Sequence, residues 1–415
     1  MPQPGKSVHV IGAGAVGVST ALYLQREGFD VTLVDRDGPG NGCSAGNAGN
    51  IGIASFIPPA TPGIWRQAWK MWTDPMHPLD IRLSHLPKSL PWFLRFVLSS
   101  RSNRFAEVSD ALASIMQYAF DAYEPLLRAA GNEAMIQRTG RLFIYETEAG
   151  FRKAKGSQAR RRAKGIEVHA LSGDEVREIE PALGASVKHG YFLPEGGFSI
   201  DPRRMIQVMA RSLEQNGGKV VQDTVKDFEI GPDGPRRIRT EGGGHDVERV
   251  VVAAGAYSGI LARRLGTSVP LESERGYHVM IPDSGVGMRV PVGASERHVV
   301  ITPMEHGIRF TTGSEFSGLD APPRWDLSLR ILDDARALLP GLIGEVKTRW
   351  YGSRPATPDG LPVIGRSPVH RNVYFAFGHG HVGLGTGAIT GRLLAQLIAG
   401  KPTEADLTPF RAERF

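Results

Sequence analysis

Val8-His-Val-Ile-Gly-Ala-Gly-Ala-Val-Gly17 is the stretch of sequence that decides the fold. It begins as a short apolar run, which predicts a buried strand, and continues into a Gly-x-Gly-x-x-Gly turn. Residues 18–27 then carry apolar side chains at helical spacing, and Gly28 follows as a typical helix-ending residue. The next apolar run, residues 31–34, ends at Asp35, so this region predicts a strand–helix–strand unit.

The glycine turn predicts a dinucleotide site. Its glycines permit a tight turn, close approach of a pyrophosphate and helix–strand packing, and the helix N-terminus attracts phosphate. Asp35 lies about 20 residues after Gly14, where an acid that accepts hydrogen bonds from ribose hydroxyls is expected. We expect the cofactor to contact Gly12, Gly14, Ala15, Val16, Gly17, Asp35 and Arg36. Arg36 suits adenine or a 2′-phosphate, so this motif alone leaves FAD, NAD and NADP open.

Three further segments place glycines where a cofactor would approach the backbone. The loop Ser44-Ala-Gly-Asn-Ala-Gly49 offers Ser44, Asn47, Ala48 and Gly49 to phosphates or a flavin ring. The apolar run 250–254 ends at Ala254 and is followed by Gly255, and we expect both residues to contact the cofactor. The third segment opens a predicted helix that runs to residue 399, and its candidate cofactor residues are Gly378, His379, Gly380, His381, Val382 and Gly383. A helix N-terminus at the flavin N1–C2=O edge would stabilise an anionic reduced flavin.

Composition bounds the class of protein. A chain of 415 residues predicts two to three domains, and 41% hydrophobic with 22% charged residues excludes a largely disordered chain. The single cysteine, Cys43, excludes an intrachain disulfide and a cysteine-based zinc site, and we predict no metal. The net charge is +6, and we expect the basic run 152–164 to be the solvated face of a helix rather than a nucleic-acid site. No apolar stretch reaches the ~20 residues of a membrane span and no signal peptide is visible, so we expect a cytoplasmic protein.

Strand and helix patterns recur along the chain. Predicted strands cover residues 142–145, 276–281, 299–302, 308–312 and 373–377, and predicted helices cover 108–130, 202–216 and 327–339. Strand–glycine–helix units stand at both ends, with sheet-like material between them. This order favours a nucleotide-binding domain built from separated segments, with a second domain inserted into it.

Taken together, the motifs resemble the FAD-dependent D-amino acid oxidase superfamily, in its glycine oxidase and D-amino acid dehydrogenase group. The resemblance is carried by residues 12–17, 44–49, 251–258, 354–365 and 378–387. It implies an α/β fold: a Rossmann-like FAD-binding domain of the D-amino acid oxidase/glutathione reductase type, with an inserted α+β substrate domain. The FAD-binding domain would comprise residues 1–60, 196–268 and 349–415, and the substrate domain residues 61–195 and 269–348. No cysteine or histidine stands where relatives attach FAD covalently, so non-covalent FAD is expected.

The resemblance also implies a substrate site. By that match Arg354, in Gly352-Ser-Arg-Pro355, binds the substrate carboxylate. Residues 274–278 resemble the Arg/Lys-Gly-Tyr element of D-amino acid dehydrogenases, which makes Tyr277 and His278 pocket candidates. The sequences of this element and of residues 378–383 resemble those of dehydrogenases that act on cyclic D-amino acids such as D-proline and cis-4-hydroxy-D-proline.

The reaction that this implies is hydride transfer from Cα of a small D-amino acid to flavin N5, giving an imine. Electrons would pass to a quinone or another carrier rather than to NAD. The alternatives are an O₂-using oxidase of glycine- or sarcosine-type amines and a NAD(P)-linked Rossmann dehydrogenase; we expect no nucleic-acid partner. Trp65, Trp69, Trp72 and Trp92 cluster in residues 65–97, and we hypothesise that this segment lies peripherally on the inner face of a membrane.

Overall fold

A mainly parallel sheet carries the first glycine turn. The structure, a computed structural model, describes residues 6–64, 66 and 79–415, apart from the side chains of residues 327, 329 and 330. In the described chain this sheet has six strands, in the order β10 (Lys219–Gln222), β2 (Asp30–Asp35), β1 (Ser7–Ile11), β14 (Arg249–Val252), β21 (Val373–Phe377) and β20 (Val363–Arg366). Only β20 runs antiparallel to its neighbour, and the central strands β1, β14 and β21 are mainly apolar and almost fully buried.

A second, larger sheet contains the strands predicted at residues 142–145, 276–281, 299–302 and 308–312. Its order is β19 (Thr348–Ala356), β15 (Glu272–Ile281), β18 (Gly307–Phe316), β17 (Val299–Met304), β16 (Val292–Ala294), β6 (Arg141–Tyr145), β8 (His189–Leu193) and β7 (His169–Ser172), with β4 (Leu79–Ile81) paired to β18. Those predicted strands are confirmed.

Two three-stranded sheets complete the described strands. One consists of β11 (Val225–Gly231), β12 (Gly234–Thr240) and β13 (Gly243–Asp246); the other has the order β3 (Asn50–Gly52), β9 (Gly196–Ser199) and β5 (Ile136–Gln137). Because β3 follows the glycine loop 44–49, its pairing with β9 fixes the far end of that loop.

The helices of the described chain are α1 (Ala15–Arg26), α2 (Leu86–Ser99), α3 (Ser102–Met116), α4 (Ala119–Ala129), α5 (Glu148–Ala163), α6 (Gly173–Ile179), α7 (Pro202–Gln215), α8 (Ser258–Arg264), α9 (Trp325–Leu338) and α10 (Gly383–Ile398). In α7 the Asp201 side chain accepts a hydrogen bond from the Arg204 amide, which confirms the predicted cap. None of the described helices combines the length and the apolar character that a membrane crossing requires.

Two predictions about helices were wrong in part. The single helix predicted over 108–130 is two helices, α3 and α4, that meet at Gln117 and Tyr118. Its apolar spacing continued across the break because both helices bury their apolar faces in one core. The basic run 152–164 does lie on α5, but Arg161 is buried and donates to the Ala54 carbonyl at 3.0 Å, so it is not solvated.

The first and last long helices pack closely against each other. A Cβ at Gly391 would lie 2.6 Å from the carbonyl carbon of Ser19, and one at Gly387 would lie 3.2 Å from that of Ala15. Glycine in α10 therefore lets its backbone approach α1. The predicted domain limits stay a prediction; β19, residues 348–356, pairs with β15 in the larger sheet.

Candidate cofactor and substrate site

The first glycine turn leaves no space for side chains at two of its three glycines. Gly12 has φ +106°, and a Cβ there would overlap the Ala253 carbonyl group at the end of β14. A Cβ at Gly17 would overlap the Gly12 carbonyl oxygen. The turn is thus pressed between β14 and α1, as the motif predicts.

The N-terminus of α1 offers backbone amides to an anion. Its N-cap, Gly14, has no side-chain cap, and no acidic residue stands in the first turn, which begins with Ala15 and Val16. The Ser44 hydroxyl accepts the Ala15 N–H at 3.1 Å, so the second glycine loop reaches this helix end. The other amides of this turn, together with the helix dipole, suit a pyrophosphate.

Asp35 lies beside the same turn, at the end of β2. Its carboxylate accepts the Ala13 N–H at 2.7 Å and the Asp37 N–H at 2.8 Å. The half-exposed Arg36 pairs with Asp37 at 2.7 Å, and its guanidinium lies 4.8 Å from the centre of the Tyr257 ring, just beyond Ala254 and Gly255. The structure brings these predicted residues to one edge of the sheet; their contact with ribose and adenine stays a prediction.

The loop 44–49 is held by the larger sheet. Arg309 on β18 donates through Nη1 to the carbonyl oxygens of Asn47, at 2.6 Å, and Ala45, at 3.2 Å. Thr302 on β17 donates to the Ala48 carbonyl at 2.8 Å, and the Asn47 side chain accepts the Gly49 N–H at 2.8 Å. Sequence reasoning missed Arg309 and Thr302, because no motif marks a buried side chain that binds backbone from another sheet.

His278 supports this loop rather than facing the cavity. Its buried imidazole makes a 3.1 Å hydrogen bond from Nδ1 to the Gly46 carbonyl and stacks on Trp350, with 5.3 Å between ring centres. Burial lowers the pKa of His278 to about 3, so the ring is neutral at pH 7 and donates through Nδ1. A Cβ at Gly46 would overlap the Trp350 indole, so glycine here makes room for the ring.

Tyr277 lies on the opposite face of β15 from the cavity, and its prediction as a pocket residue is corrected. Its hydroxyl donates to the Glu315 carboxylate and accepts the Arg324 N–H at 2.9 Å. Neighbouring side chains on a strand point to opposite faces, so Tyr277 and His278 could not serve the same pocket. Burial raises the pKa of Tyr277 to about 12.

Arg354 forms the polar centre of the site. Its Nη1 donates to Glu274 Oε1 at 3.0 Å and to the Gly313 carbonyl at 2.8 Å. Within the described chain Nη2 and Nε make no hydrogen bond. A Cβ at Gly276 would overlap this guanidinium, so Gly276 gives it room to lie flat against β15. Glu274 also accepts a hydrogen bond from the Ser314 hydroxyl at 2.7 Å.

Two cavities meet at these residues. The larger, about 600 Å³, is lined mainly by apolar side chains, among them Leu79, Ile81, Trp92, Phe93, Phe96 and Phe316, with Glu274 at its polar end. The smaller, about 170 Å³, is lined by Arg354, Arg141, Trp350 and the loop residues 46–48. His381 and Val382 line both cavities, which places the C-terminal glycine segment between them.

The C-terminal glycine segment bends sharply before α10 begins. Gly378 and Gly380 have φ of +82° and +51°, and the buried His379 bonds the Thr390 hydroxyl through Nε2 at 2.9 Å. Burial lowers the pKa of His379 to about 3. The helix that starts at Gly383 has no side-chain cap and no acid in its first turn. The residues just before it, Gly380 to Val382, line both cavities, so the N-terminal end of α10 lies beside them.

These features fit FAD. One helix N-terminus lies at the dinucleotide turn and a second lies beside the cavities, and the loop 44–49 runs close to both. The nine-stranded sheet supplies polar groups at the smaller cavity, where Arg141 keeps a buried Nε without a partner in the described chain.

A family model described as "FAD dependent oxidoreductase" (DAO) matches residues 7–397. The chain is 38% identical over 423 residues to a D-amino-acid oxidase of Bradyrhizobium diazoefficiens, with all of both chains covered. It is 27% identical over 408 residues to D-amino acid dehydrogenase 2 of Mesorhizobium japonicum, covering 96% of this chain and 98% of that one.

Among solved structures, glycine oxidase from Geobacillus kaustophilus is similar, with a TM-score of 0.77, 23% identity and 98% of each chain covered. At this identity the likeness concerns the fold. The fold predicted from the sequence, a Rossmann-like cofactor domain with an inserted α+β domain, is confirmed.

Proposed function

The chain belongs to the DAO family of FAD-dependent oxidoreductases, and from that premise we propose that it oxidises a D-amino acid at Cα, as a D-amino acid dehydrogenase. The observation that carries the substrate class is Arg354, which lines the smaller cavity and pairs with Glu274 at the polar end of the larger one. Its Nη1 donates to Glu274 and to the Gly313 carbonyl. Nη2 and Nε make no hydrogen bond within the described chain and can each donate to one oxygen of a substrate carboxylate.

The cofactor would be held without a covalent bond. We assign the pyrophosphate to Gly12, Gly14 and the first turn of α1, the ribose to Asp35, and the flavin ring to the smaller cavity beside residues 46–49 and 380–383. When bound, FAD accepts the hydride that leaves the substrate Cα. The chain's own contribution is to bind the substrate carboxylate at Arg354, fix the direction of the Cα–H bond and exclude water.

The substrate would be a D-amino acid with an apolar side chain. We propose D-proline or cis-4-hydroxy-D-proline, on the resemblance of residues 274–278 to cyclic D-amino acid dehydrogenases. The apolar lining of the larger cavity supports an apolar substituent, and its volume of about 600 Å³ also favours bulkier members such as D-phenylalanine as a second candidate.

An anaerobic visible spectrum of the purified protein tests this proposal. Flavin bands near 450 nm should bleach within one turnover on addition of D-proline or cis-4-hydroxy-D-proline, and stay unchanged with L-proline. Bleaching by D-phenylalanine alone would establish the second candidate. Bands that persist with all D-amino acids would refute the proposal.

We propose a quinone or another carrier as the electron acceptor, rather than O₂. The relatives are named both as an oxidase and as a dehydrogenase, so the acceptor must be measured. Substrate-reduced protein should be reoxidised at least tenfold faster by a soluble ubiquinone analogue than by air-saturated buffer. Faster reoxidation by O₂ would make the protein an oxidase.

The helix α2 supports a contact with an anionic membrane surface. Leu90, Leu94 and Leu98 on this helix are 48%, 59% and 51% exposed. Residues 81–106 contain no Asp or Glu, whereas Lys88 and Arg95 are exposed beside these leucines. An apolar helix face bordered by cations is typical of a helix that lies on anionic lipid. Trp65, Trp69 and Trp72 lie outside the described residues.

Co-sedimentation with vesicles tests the membrane contact. The protein should sediment with phosphatidylglycerol vesicles at low salt but not with phosphatidylcholine vesicles, and the double variant Leu94→Glu, Leu98→Glu should stay in the supernatant. The matched control Val369→Glu changes a residue that is 51% exposed elsewhere. Equal sedimentation of both variants would remove α2 from the contact.

A further inference from the structure

Glu274 is an acidic residue placed at the polar end of an otherwise apolar cavity. It lies on β15 and lines the larger cavity, and among the described residues it is the only Asp or Glu that lines either cavity. Arg354, Arg141 and His381 line the smaller cavity. A carboxylate at this junction is costly to bury unless it has a charged partner, so its position calls for an explanation.

The two oxygens of Glu274 have different surroundings. Oε1 accepts hydrogen bonds from Arg354 Nη1 at 3.0 Å and from the Ser314 hydroxyl at 2.7 Å. Oε2 makes no hydrogen bond within the described chain, and the Glu274 side chain is 18% exposed. One oxygen is therefore fixed by protein groups while the other can meet a ligand.

We propose that Glu274 binds the α-ammonium group of the substrate while Arg354 binds its carboxylate, and that the ammonium passes one proton to Glu274 Oε2 before hydride leaves Cα. This rests on the proposed function, in which Arg354 holds the carboxylate. A ligand group that reaches Glu274 from there must be close to the carboxylate, because the two side chains are in direct contact. An α-amino group, two bonds from the carboxylate carbon, meets this condition. An ammonium at the end of a long side chain would instead lie among Leu79, Trp92 and Phe316.

The proposal names a substrate class: α-amino or cyclic α-imino acids with an apolar side chain. A ligand that has a carboxylate but no amine shares Arg354 with Glu274 and meets like-charge repulsion without compensation. The zwitterion brings its own cation to the acid. Glu274 therefore discriminates against amine-free 2-oxo acids, which form when the imine of an acyclic substrate is hydrolysed, and favours their release.

The experiment compares a matched ligand pair on the FAD-loaded protein. D-Proline carries the ring NH, and (R)-tetrahydrofuran-2-carboxylate replaces that group with oxygen and is not oxidised. The affinity for the tetrahydrofuran analogue is measured from the change that it causes in the visible flavin spectrum. For D-proline, kcat/KM is measured. If the bleaching experiment identifies D-phenylalanine as the substrate, the pair becomes D-phenylalanine and 3-phenylpropanoate.

The variant Glu274→Gln should move the two ligands in opposite directions. We expect kcat/KM for the amino acid to fall at least tenfold, since a charge-assisted hydrogen bond is lost. We expect the amine-free acid to bind about tenfold more tightly, since a like charge beside Arg354 is removed. If the Glu274–Arg354 pair had only a structural role, the variant would bind both ligands more weakly.

Two further variants make the result decisive. Glu272→Gln changes an acid on the same strand that pairs with His85 at 3.2 Å and lines neither cavity, and it should leave both affinities unchanged. If the Gln variant does not fold, Glu274→Asp, which keeps the charge, takes its place. It should lower kcat/KM for the amino acid without raising the affinity for the amine-free analogue. Shifts in one direction, or no shift, would overturn the role of Glu274. Failure of the wild type to bleach with any D-amino acid would instead refute the proposed function.

Discussion

At the scale of the residue, Gly276 decides whether Arg354 can reach its place. A Cβ at this position would overlap the guanidinium. We therefore predict that Gly276→Ala displaces Arg354 by about 1 Å and lowers kcat/KM roughly 100-fold, because misplacement of this size breaks alignment. The measurement is steady-state kinetics, with flavin content read from the visible absorbance.

Gly156→Ala is the matched control for that variant. Gly156 lies in α5 and a Cβ there would contact nothing within 4 Å. Kinetics should be unchanged in the control, and flavin content should be unchanged in both. Full activity of the Gly276 variant would show that Arg354 does not depend on this gap.

His9 is a buried histidine in the parallel sheet, and it makes folding depend on pH. Burial lowers its pKa to about 4, with a smaller effect of His245 and Lys219, whereas an unfolded histidine titrates near 6.5. The unfolded state thus binds more protons below pH 6.5, so the free energy of unfolding falls as pH drops from 6.5 towards 4. At pH 5, protonation of His9 in the unfolded state lowers the free energy of unfolding by about 2 kcal/mol relative to neutral pH.

We predict that His9→Val flattens this pH dependence and stabilises the protein at pH 5, as measured by urea unfolding at pH 5, 6 and 7. His9 Nδ1 is buried without a partner in the described chain, so valine loses no bond there. His306→Gln, at a 74% exposed side chain, should leave the slope as it is. An unchanged slope in the His9 variant would place the acid sensitivity at His278 or His379.

The residue scale also marks the limit of sequence reasoning about the site. The positions of the motif glycines, Asp35 and Arg354 follow from local patterns, whereas their contacts with cofactor and substrate stay a prediction. Tyr277 and His278 were assigned to one pocket, although strand alternation separates them. Glu274 and Arg309 act across strands that are distant in sequence, and no local pattern encodes such a contact.

At the scale of the element, β15 carries a buried charge cluster on the face away from the cavity. Glu315 on β18 is fully buried and bonds Arg275 Nη1 at 3.4 Å, Arg82 Nε at 3.1 Å and the Tyr277 hydroxyl. Removing its charge leaves Arg275 buried and unpaired, so we predict that Glu315→Gln lowers the free energy of unfolding by about 3–5 kcal/mol. Urea unfolding at pH 7 measures it.

Asp246→Asn provides the comparison for an exposed ion pair. Asp246 pairs with Arg237 at 2.7 Å, but its side chain is 83% exposed, so the change should cost less than ~1 kcal/mol. Equal effects of the two variants would mean that burial adds nothing to the Glu315 cluster.

Elements were predicted better than their junctions. The strand at 373–377 and the helix from 202 were predicted because apolar runs and a cap residue mark their limits. The division of residues 108–130 into α3 and α4 was missed. Its apolar spacing is continuous, and a two-residue junction without glycine or proline gives no local signal.

At the scale of the whole molecule, the cofactor site joins two sheets. The dinucleotide turn belongs to the six-stranded sheet, whereas Arg309, Thr302 and His278 hold the loop from the nine-stranded sheet. We predict that removal of FAD lowers the melting temperature, and that restoring FAD at 100 times its Kd adds about 2.7 kcal/mol to the free energy of unfolding.

Thermal unfolding of the stripped protein with added FAD measures this effect. NAD at the same concentration is the control, since it would stabilise a nicotinamide enzyme instead. A melting temperature that rises with NAD and not with FAD would instead support a NAD(P)-linked dehydrogenase.

The close packing of α1 against α10 has a consequence for the order in which the protein is made. Residues 15–26 are synthesised early relative to the glycines that receive them, since Gly387 and Gly391 are added more than 350 residues later. At roughly 5–20 residues per second this is a wait of about 20–70 seconds. The helix that opens the dinucleotide turn spends that time without its partner, so we expect cofactor capture to wait until the C-terminal glycine segment has been synthesised.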